Sequence, residues 1–223
     1  MRIRTVDVTR SYRVGSSEII AVNGVNLEIN ESKFIAVIGP SGSGKSTLLS
    51  LIGLNDYPTS GKIFIDEVDA SRLSSGQRRK IRNERMGFVF QTFNLFPTLS
   101  ALENVELPMA LAGKPQKEQE EHALKLLKTV GLEHRSNHRP KQLSMGEMQR
   151  VAIARALANK PEMIIADEPT GELDSRTAKE TIGLLSEINA KEKMTVVVAT
   201  HDEKIIDAAD LIYTMQDGKL NQT

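Results

Sequence analysis

Cysteine is absent from the 223 residues, which excludes a disulfide framework and thiolate metal sites and fits a reducing compartment. Net charge is absent as well, because 29 Lys and Arg are balanced by 29 Asp and Glu. Such a chain offers no general attraction to a nucleic-acid backbone or an anionic bilayer, so no nucleic-acid partner is expected and any phosphate binding must be local. Aromatic residues make up only 4% and charged ones 26%, the texture of an ordinary α/β protein rather than a coiled coil or a disordered segment. No uncharged apolar run approaches the roughly 20 residues of a membrane span. The opening MRIRTVDVTRSYR lacks the continuous apolar stretch of a secretory signal. These absences predict a soluble chain forming one domain over residues 1–223, with no internal repeat.

What is present is an alternation of strand and helix patterns. Val6 to Val8, Ile19 to Val22 and Asn26 to Ile29 read as short extended stretches alternating with turns, and Phe34 to Ile38 as a buried strand. Lys62 to Asp66 and Gly87 to Gln91 read as a hairpin-like pair bracketing QRRKIRNER, an exposed charged helix. From Thr92 to about residue 160 the apolar residues repeat at three and four positions, through Leu102 to Leu111 and then Ala123, Leu124, Leu127 and Val130, with Gly131 placed as a helix stop. This predicts an inserted α-helical subdomain. Strand character returns at Met163 to Ala166 and Thr195 to Ala199, around a helix with Ala178, Ile182, Leu185 and Ile188 on one face. That βαβ order predicts a parallel sheet with ligands at the carboxyl ends of its strands. Leu211 to Met215 followed by QDGK reads as an edge hairpin closed by an Asp-Gly turn.

Between the Phe34 strand and a helix bearing Leu48, Leu49, Leu51 and Ile52 lies Gly39, Pro40, Ser41, Gly42, Ser43, Gly44, Lys45, Ser46, a full match to G-x-x-x-x-G-K-[ST], followed by Thr47. Glycines let the backbone wrap a phosphate chain with its N–H groups inward, and the helix N-terminus adds positive potential. Lys45 then sets a point charge on the β- and γ-phosphates, and Ser46 offers a hard oxygen to Mg²⁺. A stray lysine in a Gly-rich turn is the bland alternative, and the flanking strand and helix argue against it. Asp167 and Glu168 end the strand Met163 to Ala166. Asp167 is suited to hold magnesium through water, and Glu168 to orient or deprotonate an attacking water. Acids at strand ends are common turn residues, so this pair takes its weight from the phosphate loop.

With these residues in place, the chain resembles the ATP-binding cassette family over nearly its whole length. The resemblance rests on Tyr12, the phosphate loop, Gln91, LSMGEMQ at 143–149, IIADEPTGELD at 164–174 and His201, in that order. GFVFQTFNLFPTLSALENVELP and VAIARALANKPEMIIADEPTGELDS narrow it to the ATPase subunits of lipoprotein-release and macrolide-export systems.

The resemblance implies an α/β P-loop core with a parallel sheet, an N-terminal antiparallel β subdomain and an inserted α-helical subdomain, ATP and Mg²⁺ as cofactors, and roles for single residues. Tyr12 would stack on adenine. Gln91 would complete the metal shell and sense the γ-phosphate. His201, in Thr200-His201-Asp202, would hydrogen-bond that phosphate and, with Glu168 and Lys45, serve catalysis. Ser144 and Gly146 would contact the ATP of a second copy, making a homodimer around the nucleotide. Ser144 with Glu147 also spells a capping box, and Asp174, implied at the subunit contact, also suits an N-cap. Met145 stands where the family more often has glycine, so either the backbone there is ordinary or the contact is altered. Phe93, Leu95, Phe96 and Leu99 are exposed-looking, in a region the family uses to receive a short helix of a membrane permease subunit. The implied location is the cytoplasmic side of a membrane, held through that subunit.

Three rivals stand beside this reading. A non-transport cassette ATPase would carry long coiled coils or a second cassette, and a P-loop kinase has no use for LSMGEMQ. A division-type subunit signalling through a membrane partner is not separable from export by sequence.

Overall fold

The extended stretches near the start do not end at the turns that the sequence suggests. β1, Ile3–Val14, and β2, Ser17–Ile29, form one long antiparallel hairpin, and the short stretches read from the sequence are segments of it. Register shifts at Thr5/Val8, Val8/Arg10 and Arg10/Ser11 break the period-two alternation into pieces. The computed structural model describes residues 1–201 and 203–222, with Glu203 and Lys204 by backbone only. Asp202 lies outside the described residues.

β3, Phe34–Ile38, leads through the Gly-rich loop into α1, Lys45–Ile52. β4, Ser60–Ile65, and β5, Val68–Asp69, return to the first layer, a four-stranded sheet of order β2-β1-β4-β5. α2, Ser75–Arg85, then precedes β6, Met86–Phe90. The hairpin-like pair expected around α2 is not a hairpin. β4 pairs antiparallel with β1, whereas β6 pairs in parallel with β7, Met163–Asp167. Two apolar stretches flanking a polar segment look alike from the sequence whether they share a sheet or not. α2 is also not exposed throughout, since Arg78 is buried with its guanidinium 3.8 Å from the Tyr57 ring centroid. It donates to the carbonyls of Ala70 and Asp56, which satisfies the charge that burial would otherwise penalise.

α3, Ala101–Leu111, α4, Gln116–Thr129, and α5, Met145–Ala156, lie in sequence between β6 and β7. Gly131 follows the end of α4 at φ 75°, the left-handed conformation that closes a helix and that glycine adopts without strain. After β7 come α6, Ser175–Glu192, β8, Thr195–Thr200, β9, Leu211–Gln216, and β10, Lys219–Gln222. Asp217 and Gly218, both at positive φ, make the β9-β10 turn as expected.

The second sheet has six strands in the order β10-β9-β3-β8-β7-β6, parallel except for β10. Its alternating side chains divide two cores. Ala36, Val89, Ile164, Ala166, Val196 and Val198 pack with α3 to α6 on one face. Ile35, Val37, Met163, Ile165, Val197 and Ala199 pack with α1 and the antiparallel layer on the other. A sheet covered on both faces requires the continuous apolar runs that β3, β7 and β8 carry. The adjacency of β3, β8, β7 and β6 brings four carboxyl ends to one edge.

Candidate active site

The loop after β3 owes its shape to glycines that no other residue replaces. Gly39 has φ 157° and a Cβ there would lie 2.1 Å from the Met215 carbonyl oxygen; Gly44 has φ 106° and its Cβ would lie 2.0 Å from that of Ala21. The loop is therefore clamped between β9 and β2 at backbone distance. α1 has Gly44 at its N-cap, with no side-chain cap and no acid in its first turn, whereas α2, α3 and α5 each carry a complete capping box. A helix N-terminus left this way keeps N–H groups for an anion.

Lys45 is 7% exposed and its Nζ donates to the carbonyls of Gly39, at 2.8 Å, and Pro40, at 3.1 Å. Glu168 Oε1 stands 3.7 Å from the same Nζ. Ser43 is buried inside the loop, and its Oγ has no hydrogen-bond partner among the described residues. An unsatisfied hydroxyl and a buried ammonium in one loop suit a ligand rich in oxygen. Thr47 follows in the first turn of α1, partly buried.

Ser46 Oγ donates to Asp167 Oδ1 at 3.0 Å, so the loop and the end of β7 meet as expected. Burial pushes the Asp167 carboxyl above its usual range, aided by neighbouring Glu168 and opposed by the Ser46 hydrogen bond and Lys45. Among the described residues no three His, Cys, Asp or Glu stand together as a metal cage. Two hard oxygens beside a phosphate cradle nevertheless fit Mg²⁺, which keeps water and substrate oxygens in its shell rather than an all-protein set.

Glu168 adopts φ 46°, unusual for a residue with a side chain. Its N–H is held by the Ala199 carbonyl at 2.9 Å, which ties the turn after β7 to β8. The carboxylate then reaches His201, with Oε2 3.0 Å from Nδ1 and 3.4 Å from the backbone nitrogen. His201 is 70% exposed at the open side of the site. A carboxylate held beside an imidazole on this edge can orient water and take a proton from it.

Gln91, at the end of β6, is exposed and donates to Glu172 Oε1 at 3.2 Å. It also lies close above Gly171, where a Cβ would come within 3.0 Å of Nε2. Tyr12 is partly exposed on β1, with its hydroxyl on Asp56.

Ser144 and Gly146 make no contact with these groups among the described residues. Ser144 caps α5 as its sequence spells, accepting from Glu147 N at 3.2 Å while its own N–H donates to Glu147 Oε2 at 2.8 Å. Met145 has ordinary helical backbone, so no glycine is required there, and its side chain is 54% exposed. Gly146 is buried against α6, where a Cβ would lie 2.4 Å from Thr177 Cγ2. Among the described residues, the contacts of Ser144 and Gly146 are with their own helix and Thr177, and none reaches the phosphate loop. Asp174 caps α6, accepting from Arg176 N and Thr177 N at 3.0 and 3.1 Å.

Phe93, taken as exposed from the sequence, is buried, because Phe93 and Asn94 turn through positive φ and fold the chain inward. Arg155 of α5 donates to the carbonyls of both, which ties the segment after Gln91 to α5. Sequence reasoning missed Arg155 and Glu172. The signal for Arg155 is a cation in the otherwise apolar run VAIARALA, and Glu172 has none. Phe96 stays 51% exposed and joins Phe88, Phe90, Pro108, Leu111 and Arg155 along a groove of about 940 Å³.

A glycine-clamped loop joining a buried parallel strand to an uncapped helix, with acids at the end of a neighbouring strand, defines a P-loop nucleoside-triphosphatase. Comparison with known proteins carries this further. Residues 22–171 match the family model described as ABC transporter. The ABC transporter ATP-binding protein MJ0796 of Methanocaldococcus jannaschii is 47% identical over 227 residues, covering 99% of this chain and 95% of that one. A dimeric, post-hydrolysis structure of MJ0796 bound to ADP and Pi superposes with a TM-score of 0.92 at 44% identity, covering 99% of this chain and 97% of that chain. The lipoprotein-releasing system ATP-binding protein LolD of Legionella pneumophila (strain Paris) is 47% identical over 95% of this chain and 93% of its own length. The macrolide export ATP-binding/permease protein MacB of Burkholderia thailandensis is 44% identical over 96% of this chain, which spans 32% of MacB. The chain belongs to the ABC transporter family, as an ATP-binding, ATP-hydrolysing subunit.

Proposed function

We propose that this chain hydrolyses Mg-ATP at the four adjacent strand ends, as one of two identical copies that drive a separate membrane permease. The observation that carries this reading is the meeting of Lys45, the Ser46–Asp167 pair and the Glu168–His201 pair on one edge of the sheet. The loop Gly39 to Ser46, with Thr47, receives the phosphates, and Lys45 turns from its own loop carbonyls to them. Ser46, Asp167 and Gln91 would hold Mg²⁺, which would supply charge neutralisation to the triphosphate when bound. Glu168 orients and deprotonates the attacking water, and His201 contacts the γ-phosphate while being fixed by Glu168. Tyr12 stacks on the adenine ring.

The second copy contributes Ser144 and Gly146 to the nucleotide of the first. That neither contacts the phosphate loop of its own chain among the described residues supports a role across a dimer, as does likeness to a dimeric cassette. Residues 1–223 act as one unit, with the helical insertion over about 92–160 as the part that carries Ser144. The groove beside Phe96 suits a short helix of the permease, for apolar side chains of Phe88, Phe90, Phe96 and Leu111 line it together with the charges of Arg79, Lys80 and Glu84. Among the described residues no helix is long and apolar enough to cross a membrane. The chain reaches the cytoplasmic face of the membrane through that permease, for lipoprotein release, export or mechanical signalling.

Sedimentation with Mg-ATP tests the dimer. In the slowly hydrolysing Glu168→Gln background the chain shifts to twice its mass, and adding Ser144→Arg keeps it single while it still binds nucleotide. An undiminished dimer in that variant, or full hydrolysis by a strictly single chain, overturns the reading.

A further inference from the structure

We propose that Arg10 and Asp56 are positioning residues for the base: together they hold the Tyr12 ring in one orientation and leave it a single stacking face. This rests on the reading that Tyr12 meets adenine. Tyr12 OH donates to Asp56 Oδ2 at 2.8 Å, and the Arg10 guanidinium lies over the same ring with its Cζ 4.5 Å from the centroid. Arg10 and Asp56 complete the triangle as an ion pair at 2.9 Å. An aromatic ring has two faces, and a cation resting on one reserves the other for a base.

The anchor is built into the frame of the phosphate site. Asp56 follows α1, and its N–H donates to the carbonyl of Ser50 within that helix. Tyr57 N–H donates to Asp56 Oδ1 at 2.7 Å, which aims the carboxylate. Burial would raise the Asp56 carboxyl, but the hydrogen bonds from Tyr57 and Tyr12 and the charge of Arg10 hold it below its usual range, so the acceptor stays ionised at neutral pH. A second tie runs from Ser11 N to Thr59 Oγ1 at 3.0 Å, fastening β1 to the same segment. Arg10 pairs across β1-β2 with Val22, next to Ala21, whose carbonyl touches Gly44 of the phosphate loop. The ring is thereby tied both to the helix and to the strand that frame the phosphates. A pre-ordered ring loses less freedom when a base stacks on it.

The test separates base from phosphates by using inorganic tripolyphosphate, which has no base. KM for Mg-ATP is measured for Tyr12→Phe, Asp56→Asn, Arg10→Met and Arg10→Lys, with the Ki of tripolyphosphate against each. Tyr12→Phe removes only the hydroxyl and keeps the experiment decisive if Asp56→Asn folds poorly. The first three raise KM about three- to tenfold, the scale of one side chain freed from its order. kcat stays within twofold, Ki does not change, and Arg10→Lys restores most of the affinity. Wild-type KM in Tyr12→Phe and Asp56→Asn, or tighter ATP binding in Arg10→Met, overturns the proposal. So does a Ki that rises with KM, since that marks general damage to the loop. Tyr12→Ala serves as the control: an unchanged KM there removes adenine stacking itself, whereas a raised KM beside a silent Tyr12→Phe removes only the positioning.

Discussion

Replacing Glu168 by glutamine changes one charge and almost no shape. The backbone at φ 46° already carries a side chain, so glutamine adds no strain that glutamate does not have. An amide oxygen can still accept from His201, whose Nδ1 and N lie 3.0 and 3.4 Å from the present carboxylate. Two things are lost. The first is the base: removing a general base costs about 10²–10⁴ in rate, or about 3–5 kcal/mol of barrier. The second is the anion 3.7 Å from Lys45 Nζ, in a pair whose side chains are 7% and 16% exposed. That anion competes with phosphate for the same ammonium, so its loss leaves ATP affinity equal to wild type or better. The variant should bind ATP, turn over about 10²–10⁴ times more slowly, and accumulate as an ATP-bound dimer. Phosphate release in the steady state gives the rate, and sedimentation with Mg-ATP gives the dimer. Turnover within threefold of wild type would show that Glu168 is not the base. Slow turnover with equally weakened ATP binding would show that the substitution had damaged the cradle instead.

Asp167→Asn should raise the stability of the nucleotide-free chain while removing Mg²⁺-dependent hydrolysis. The folded carboxyl titrates above its unfolded value, chiefly because it is buried, so the native state holds that proton more tightly than the unfolded chain. Its neutral form is favourable at low pH, and stability falls as pH rises through the raised value and the buried group ionises. Denaturant titrations should therefore show the asparagine variant ahead of wild type near neutrality, with the gap closing below the ordinary carboxylate range; a variant less stable at neutral pH would refute this. Gly44→Ala and Gly42→Ala should differ in thermal denaturation. Both sit at positive φ, but at Gly44 the added Cβ meets the Ala21 carbonyl at 2.0 Å while at Gly42 nothing lies within 4 Å. Gly42→Ala should cost about 1 kcal/mol and Gly44→Ala clearly more, each kcal/mol lowering the melting temperature by about 2–4 °C. Equal shifts would mean that the loop relaxes away from β2.

The phosphate loop is legible residue by residue, because Gly39 to Ser46 is contiguous and each of its residue types answers one local demand of a phosphate chain. Equally legible are the helices from α3 to α6, with caps at Ser144 and Asp174, and the buried runs of β3, β7 and β8, since periodicity and capping act over a few residues. Where local pattern fails, distance along the chain is the reason. The β1-β2 hairpin looked like fragments because bulges interrupt its alternation, and β4 and β6 looked paired because nothing local says which sheet a strand joins. Arg78 looked exposed because a buried guanidinium is indistinguishable in sequence from a solvated one until Tyr57 and two carbonyls, at Ala70 and Asp56, are brought to it. Only tertiary structure set Ser46 on Asp167 across 121 residues, His201 on Glu168, and Asp56 on Tyr12. The first two contacts follow from the strand order β3-β8-β7-β6 and the third from the packing of β1 beside the end of α1, and neither arrangement is a property of any single stretch of chain.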